Sequence, residues 1–220
     1  MVTGPGFWIP SCVAQWQALY RLRRLRLSPS HASLRAAQDG TKSYITGKPL
    51  WGTLVALVHV PSGTPVLGVI DQPILGERWV GVAGQPTTMN GNPCAVRACT
   101  ALSAAYLYST TPLMFDARTK PAYDALAAAV RIPLYGCDCY AYGLLALGLC
   151  DLVVEADLKP YDFMALVPIV QGAGGVMTDW LGEPLRWRPS DSAECRGEVI
   201  AAGDAAAHAA AVALLRQRRE

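Results

Sequence analysis

The chain has 220 residues, of which 52% are hydrophobic and 16% charged, the composition of a globular protein with one large domain or two small ones. A formal net charge of +2 excludes the strongly basic surface that nucleic acids or anionic membranes select, and Gly, Pro or charge breaks every apolar run well short of the roughly 18 residues a membrane span needs. Seven cysteines, Cys12, Cys94, Cys99, Cys137, Cys139, Cys150 and Cys195, form no CxxC pair, so they read as reduced intracellular thiols; soft-metal binding at Cys137-x-Cys139 is disfavoured because no second pair lies near.

In chain order, residues 1–38 come first and differ from the rest. They contain no acidic residue and five arginines, Arg21, Arg23, Arg24, Arg26 and Arg35, with Ser28, Ser30 and Ser33 after the densest cluster. This composition suits an organelle transit peptide. Trp16 to Leu27 also reads as a basic amphipathic helix, and a third reading is a stretch foreign to the fold. Asp39-Gly40-Thr41-Lys42-Ser43 predicts a polar turn. Trp51 to Val60 and Pro65 to Ile70 predict a hairpin around Pro61-Ser62-Gly63-Thr64, and Glu77 to Ala83 a third strand. The first half, 39–98, is therefore read as sheet-rich.

The second half, 99–220, alternates. Strands are predicted at Ala105 to Ser109, Ile132 to Gly136, Leu152 to Glu155 and Glu198 to Ala202, with a strand and hairpin over Gly175 to Leu185. Helices are predicted at Ala122 to Val130, Tyr140 to Leu149, Asp162 to Gln171 and Ala205 to Arg216. Such alternation argues a layered α/β architecture. Pro168 should kink the third helix near Met164, and Gly172, Gly174 and Gly175 should end it.

The residues with chemistry stand at element ends: Asp39-Gly40-Thr41, Gly136-Cys137-Asp138, and Glu155 with Asp162. Asp162 begins a helix that follows the carboxyl end of a strand, where layered α/β proteins bind ligands. A helix start that carries its own carboxylate suits a metal–phosphate pair better than a bare phosphate; the alternative is a plain helix cap. Mg²⁺ takes oxygen ligands from one or two carboxylates plus substrate phosphate, which makes Asp39 and Asp162 candidate ligands. Gly40 and Thr41 amides are candidates for phosphate, with the Thr41 hydroxyl orienting the attacking water. The three histidines, His31, His59 and His208, lie far from these stretches in sequence, and no GxSxG elbow or Walker loop is present.

Taken together, DGTKSYITGKPLWGTLVAL, GVIDQPILGERWVG, YGCDCYAYGLLALG, DLKPYDFMALVPIVQGAGG and TDWLGEPL resemble the inositol monophosphatase superfamily, and within it the histidinol-phosphatase branch of plants and many bacteria. The resemblance runs from about Asp39 to the C-terminus. It implies a layered α-β-α-β-α sugar-phosphatase-like fold with an incomplete N-terminal layer. The implied activity is Mg²⁺-dependent hydrolysis of histidinol phosphate in histidine biosynthesis, by a homodimer in the plastid or otherwise in the cytoplasm. The implied metal ligands are Asp39 and Asp162, with a backbone carbonyl from Gln38. Gly40 and Thr41 would bind phosphate, and Asp39 and Thr41 would activate water. Gly136, Cys137, Asp138 and Glu155 would meet the alcohol portion, their acidity suiting a cationic substrate over a neutral polyol. Asp162 would also touch substrate.

The departures carry expectations too. The family's first signature opens with an aspartate where this chain has Ala36, and Ala37-Gln38 follow. The upstream Gly-Glu-Glu segment and the N-terminal helices have no counterpart. Weak metal binding, little phosphatase activity and an uncovered apolar sheet face are therefore expected. The alternatives are a phosphatase for inositol or sugar phosphates, and an inert truncated form that pairs with a full-length partner.

Overall fold

The computed structural model of the chain describes residues 32–187 and 197–217. The readings made for the arginine cluster, for Trp16 to Leu27, and for Cys12, His31 and Cys195 lie outside those residues. Six strands form the first sheet in sequential order: β1 (Ala32–Asp39), β2 (Gly52–His59), β3 (Thr64–Gln72), β4 (Glu77–Val82), β5 (Thr88–Met89) and β6 (Asn92–Pro93). All are antiparallel, with Ala32 opposite His59 and Asp39 opposite Gly52. The two-residue strands β5 and β6 fall in the Thr87–Pro93 stretch, whose turn residues hide them from a pattern search.

The polar turn expected at Asp39 to Ser43 is instead the entry to a one-and-a-half-turn helix, α1 (Thr41–Thr46). Glycine bounds it on both sides: Gly40 at φ 80° and Gly47 at φ 76° take the left-handed region that L-residues avoid. An added Cβ at Gly40 would lie 2.9 Å from the Trp51 Cα, so glycine is required for space as well.

The second sheet has the order β10-β11-β9-β7-β8, from β7 (Tyr106–Ser109), β8 (Ile132–Tyr135), β9 (Leu152–Glu155), β10 (Val176–Asp179) and β11 (Val199–Ala202). The β7 strand runs parallel to β8 and β9, while β11 is antiparallel to β9 and β10. The helices are α2 (Lys120–Ala129), α3 (Tyr140–Ala146), α4 (Pro160–Phe163), α5 (Leu166–Gly172) and α6 (Ala205–Gln217). The single helix predicted over Asp162 to Gln171 is split into α4 and α5 at Met164 and Ala165. Pro168 has no N–H for the Met164 carbonyl, which places the break where the proline rule puts it.

Among the described residues the layers alternate: first sheet, then α3 and α5, then second sheet, then α2 and α6. One core joins Leu54, Ile70 and Trp79 of the first sheet to Tyr142, Ile169 and Val170 of the helices and Val153, Met177 and Ala201 of the second sheet. A second core packs Leu107, Val154 and Ile200 against Leu126, Ala207 and Leu215. The architecture is thus the mixed, layered α/β type expected. The first sheet's other face carries Val55, Leu57, Leu67, Val69, Val80 and Val82. These are at most 8% exposed, so among the described residues no exposed apolar patch stands on that face, against the expectation.

Two cross-strand partners, Gly68 on β3 and Gly81 on β4, form the seat of the α4–α5 corner. A Cβ at Gly68 would overlap the Ala165 carbonyl oxygen, at 1.8 Å, and one at Gly81 would come within 2.5 Å of the Pro168 and Ile169 backbone. Helix backbone therefore rests directly on sheet backbone. The segment joining the sheets is fastened by Arg97, which donates to both Asp151 carboxylate oxygens at 2.6 Å, and Asp151 also accepts the Tyr106 N–H at 2.7 Å. Burial pushes the Asp151 carboxyl up, but the Arg97 and Tyr106 donors outweigh it and hold it below the usual carboxylate range.

The five described cysteines, Cys94, Cys99, Cys137, Cys139 and Cys150, are unpaired and buried. Among the described residues no helix is long and apolar enough to cross a membrane.

Candidate active site

The end of β1 and the start of α1 meet the loop between β8 and α3. Asp39, the last residue of β1, accepts the Gly40 N–H at 2.8 Å and the Cys139 N–H at 2.6 Å. Ser43, on the first turn of α1 and buried, donates its hydroxyl to Asp138 Oδ2 at 3.1 Å. Lys48, just past α1, donates Nζ to the Gly136 carbonyl at 2.5 Å. The loop is thereby held at three points by one ten-residue stretch, 39–48. Two of its residues have left-handed backbone, Gly136 at φ 89° and Asp138 at φ 47°. The second is uncommon for a residue with a Cβ.

Asp162 joins this group from α4, which packs on β1 and β2. Its Oδ2 accepts the Lys159 backbone N–H at 2.8 Å, so it closes the first turn of α4 as a cap. It also acts across space. Burial pushes the Asp39 carboxyl up to about 6, and the charges of Asp138 and then Asp162 add to the shift. Three carboxylates are thus drawn into one field beside the first turn of α1. There the Thr41, Lys42 and Ser43 amides precede the first intrahelical bond, from the Tyr44 N–H to the Gly40 carbonyl. Amides at such a position have no intrahelical acceptor and favour an anion.

The remaining predicted residues fall as follows. Thr41 is the first residue of α1 and is exposed. The Gly40 amide is already engaged by Asp39, which leaves the later amides of α1 for an anion. Gln38 is opposite Thr53 in the β1–β2 ladder, with an exposed side chain. Cys137 is buried with its thiol near Tyr108, and burial pushes that thiol up. Glu155 ends β9 and is buried. Its Oε1 accepts both the Thr110 N–H and hydroxyl, and its Oε2 the Tyr142 hydroxyl at 2.8 Å. Ser43, Lys48, Thr110 and Tyr142 were not singled out from the sequence. Their partners lie 13 to 95 positions away, and no local spacing signals such pairs.

Glu155 makes a measurable prediction. Burial pushes its carboxyl up to about 7, opposed by the Thr110 hydroxyl and reinforced by the Asp39 charge. A carboxyl raised on folding contributes stability that is fully present below its unfolded value, 4.5, and is lost as pH rises through 7. The metal-free protein should therefore lose about 1–3 kcal/mol between about pH 5 and pH 8. Glu155→Gln should flatten the part of that curve above about pH 6, leaving the lower part to Asp39. Thermal unfolding across pH checks this; an unchanged curve in the variant rejects it.

The donor set is hard. It consists of carboxylate oxygens, and the repulsion that adds to the effect of burial on Asp39 is what a divalent cation relieves. Among the described residues no three His, Cys, Asp or Glu side chains are grouped closely enough to hold a metal by themselves. Two carboxylates, with water and substrate oxygens completing the shell, suit Mg²⁺. That arrangement leaves most of the shell to ligands the protein does not supply.

Comparison with known proteins agrees with this geometry. A sequence profile of the inositol monophosphatase family matches residues 39–220. The chloroplastic bifunctional phosphatase IMPL2 of Arabidopsis thaliana is 54% identical over 171 residues, covering 77% of this chain and 49% of that protein. A histidinol-phosphatase of Chlorobaculum parvum is 34% identical over 145 residues, covering 66% of this chain and 55% of that one. Among solved structures, an inositol monophosphatase from Zymomonas mobilis superposes with a TM-score of 0.80 at 39% identity, covering 98% of this chain and 88% of its own. The chain spans about half the length of these curated relatives. The profile begins at Asp39, the residue on which the carboxylate cluster is built, and runs through every element that shapes the site: this chain belongs to the inositol monophosphatase family.

Proposed function

We propose that the chain is a Mg²⁺-dependent phosphomonoesterase of the histidinol-phosphatase type, hydrolysing histidinol phosphate to histidinol and phosphate. The observation that carries the substrate choice is Asp138. Its carboxylate lies against Gly40 at the first turn of α1, with Oδ2 3.1 Å from where a Gly40 Cβ would stand. A carboxylate beside an anion-binding helix start repels phosphate unless positive charge comes with it. The ammonium and imidazole of histidinol phosphate bring that charge, and a neutral polyol phosphate does not. The name of the Chlorobaculum relative, a histidinol-phosphatase, supports the same reading, and that of the Arabidopsis relative supports a phosphatase.

In this reading Asp39 and Asp162 hold the cation, with Gln38 offering its carbonyl. The α1 amides and Thr41 hold the phosphate, and the Thr41 hydroxyl orients the attacking water. Asp39, beside the cation, would act with Thr41 in activating that water. When bound, Mg²⁺ supplies the charge that draws electron density from the phosphorus centre. Asp138 and the Gly136-Cys137 backbone meet the alcohol portion, and Glu155 braces the floor of the site through Thr110 and Tyr142. Ala36 offers no side-chain oxygen, so weak metal affinity and slow turnover belong to the proposal. So do a plastid location, after the Arabidopsis relative, and a homodimeric state.

Asp138→Ala is the test. It should lower kcat/KM for histidinol phosphate by about 100-fold, the loss of a close charge pair, and change that for a neutral polyol phosphate by less than about threefold. Equal losses on both substrates would reject the cationic specificity. Turnover of histidinol phosphate at the level of a full-length relative would reject the slow-turnover part.

A further inference from the structure

Of the three bonds that run from the 39–48 stretch to the 136–139 loop at Gly136, Asp138 and the Cys139 amide, one reaches a side-chain carboxylate. Lys48 holds the Gly136 carbonyl and Asp39 holds the Cys139 amide, but Ser43 holds the Asp138 carboxylate itself. Among the described residues Oδ2 accepts from Ser43 and no hydrogen bond reaches Oδ1. Asp138 needs such a restraint. At φ 47° its backbone is in the region that costs an L-residue about 1–2 kcal/mol, and its charge acts on that of Asp39. Left alone, the carboxylate would turn away from Asp39.

Ser43 is placed to act on two parts of a substrate. Its backbone amide belongs to the open first turn of α1, on the phosphate side. Its hydroxyl, donating to Asp138, sets the carboxylate on the alcohol side. The residue is buried, so this geometry is not shared with solvent. We propose that Ser43 is a specificity-setting positioning residue: by fixing Oδ2 of Asp138 it directs Oδ1 to a cationic group of the substrate, and so couples recognition of an amino-alcohol to the helix that takes its phosphate. The inference rests on the histidinol-phosphatase reading above and adds to it the residue that orients the discriminating charge.

Binding to the full chain in the presence of Mg²⁺ tests this without requiring turnover. L-histidinol and inorganic phosphate are titrated separately by calorimetry into the unsubstituted protein and into Ser43→Ala, Ser43→Thr and Asp138→Asn. Ser43→Ala should weaken histidinol about tenfold, one hydrogen bond to a charged group, and leave phosphate within about twofold, because the backbone amide remains. Ser43→Thr keeps the hydroxyl and should keep the affinity. Asp138→Asn should lose histidinol binding. If Ser43→Ala does not fold, Ser43→Cys, which keeps the volume and donates weakly, should show the same selective loss. Equal weakening of histidinol and phosphate in the Ala or Cys variant overturns the proposal, since a merely structural role would produce it. Unchanged histidinol affinity in that variant, with loss in Asp138→Asn, overturns the role of Ser43 and leaves the substrate reading standing. Unaltered binding in Asp138→Asn, or no histidinol binding by the unsubstituted chain, overturns both.

Discussion

Asp162→Asn is expected to reduce Mg²⁺-dependent phosphatase activity by about 100-fold or more while leaving the fold intact. Asparagine keeps the side-chain oxygen that accepts the Lys159 N–H at 2.8 Å, so the cap on α4 survives. What it removes is the charge, and with it the second carboxylate offered to the cation. Loss of a ligating charge costs a Mg²⁺ site several kcal/mol at an effective dielectric of about 20. The same change relieves repulsion on Asp39, whose carboxyl should fall back from about 6. The metal-free variant should therefore unfold within about 1 kcal/mol of the parent. Steady-state kinetics, Mg²⁺ titration and thermal unfolding separate the effects. A plain cap would tolerate this substitution, so an Asn variant with full activity and unaltered Mg²⁺ affinity would show that Asp162 is only that.

The largest effect on stability is expected from Gly68→Val. The added Cβ would stand 1.8 Å from the Ala165 carbonyl oxygen and 2.7 Å from its carbon. Neither is a flexible side-chain end, so the α4–α5 corner has to lift from the sheet. Gly81, its cross-strand partner, has the same relation to Pro168 and Ile169, and relaxation toward β4 is blocked as well. Overpacking of this kind typically costs about 1–3 kcal/mol, and a backbone clash puts the cost at or above the upper end. For a chain of this length that is a fall in Tm of about 6–12 °C. Lifting the corner also moves Asp162, so Mg²⁺ binding should weaken in step. A Tm within about 2 °C of the parent would mean that the seat is softer than the geometry says.

Much of this was legible in the letters. Leu152 to Glu155 was read with the bounds it has, because a short β-branched run ending in charge leaves little else to be. Asp39 and Asp162 were singled out through their motifs; the structure shows the Asp162 charge acting on Asp39, and their pairing on a cation stays with the proposal. The break in the helix after Asp162 followed from Pro168 alone. Other features were not legible for physical reasons. The α1 helix is built of Thr, Lys, Ser, Tyr and Ile, poor helix formers for the most part, and forms because Gly40 and Gly47 let the chain enter and leave it. Six residues between two glycines was the signal available. The bonds from Ser43 to Asp138 and from Thr110 to Glu155 close across 95 and 45 positions, and nothing local announces them.

The placement of β1 has a last consequence. It is the outermost strand of its sheet, paired only with β2 among the described strands, and the site's first carboxylate is its final residue. Terminal strands breathe more readily than central ones, and their amides exchange with solvent on shorter timescales. In the proposed reading the cation's first ligand therefore sits at the margin of the described sheet, and a transient peeling of Asp39 from Gly52 would carry it away from Asp162.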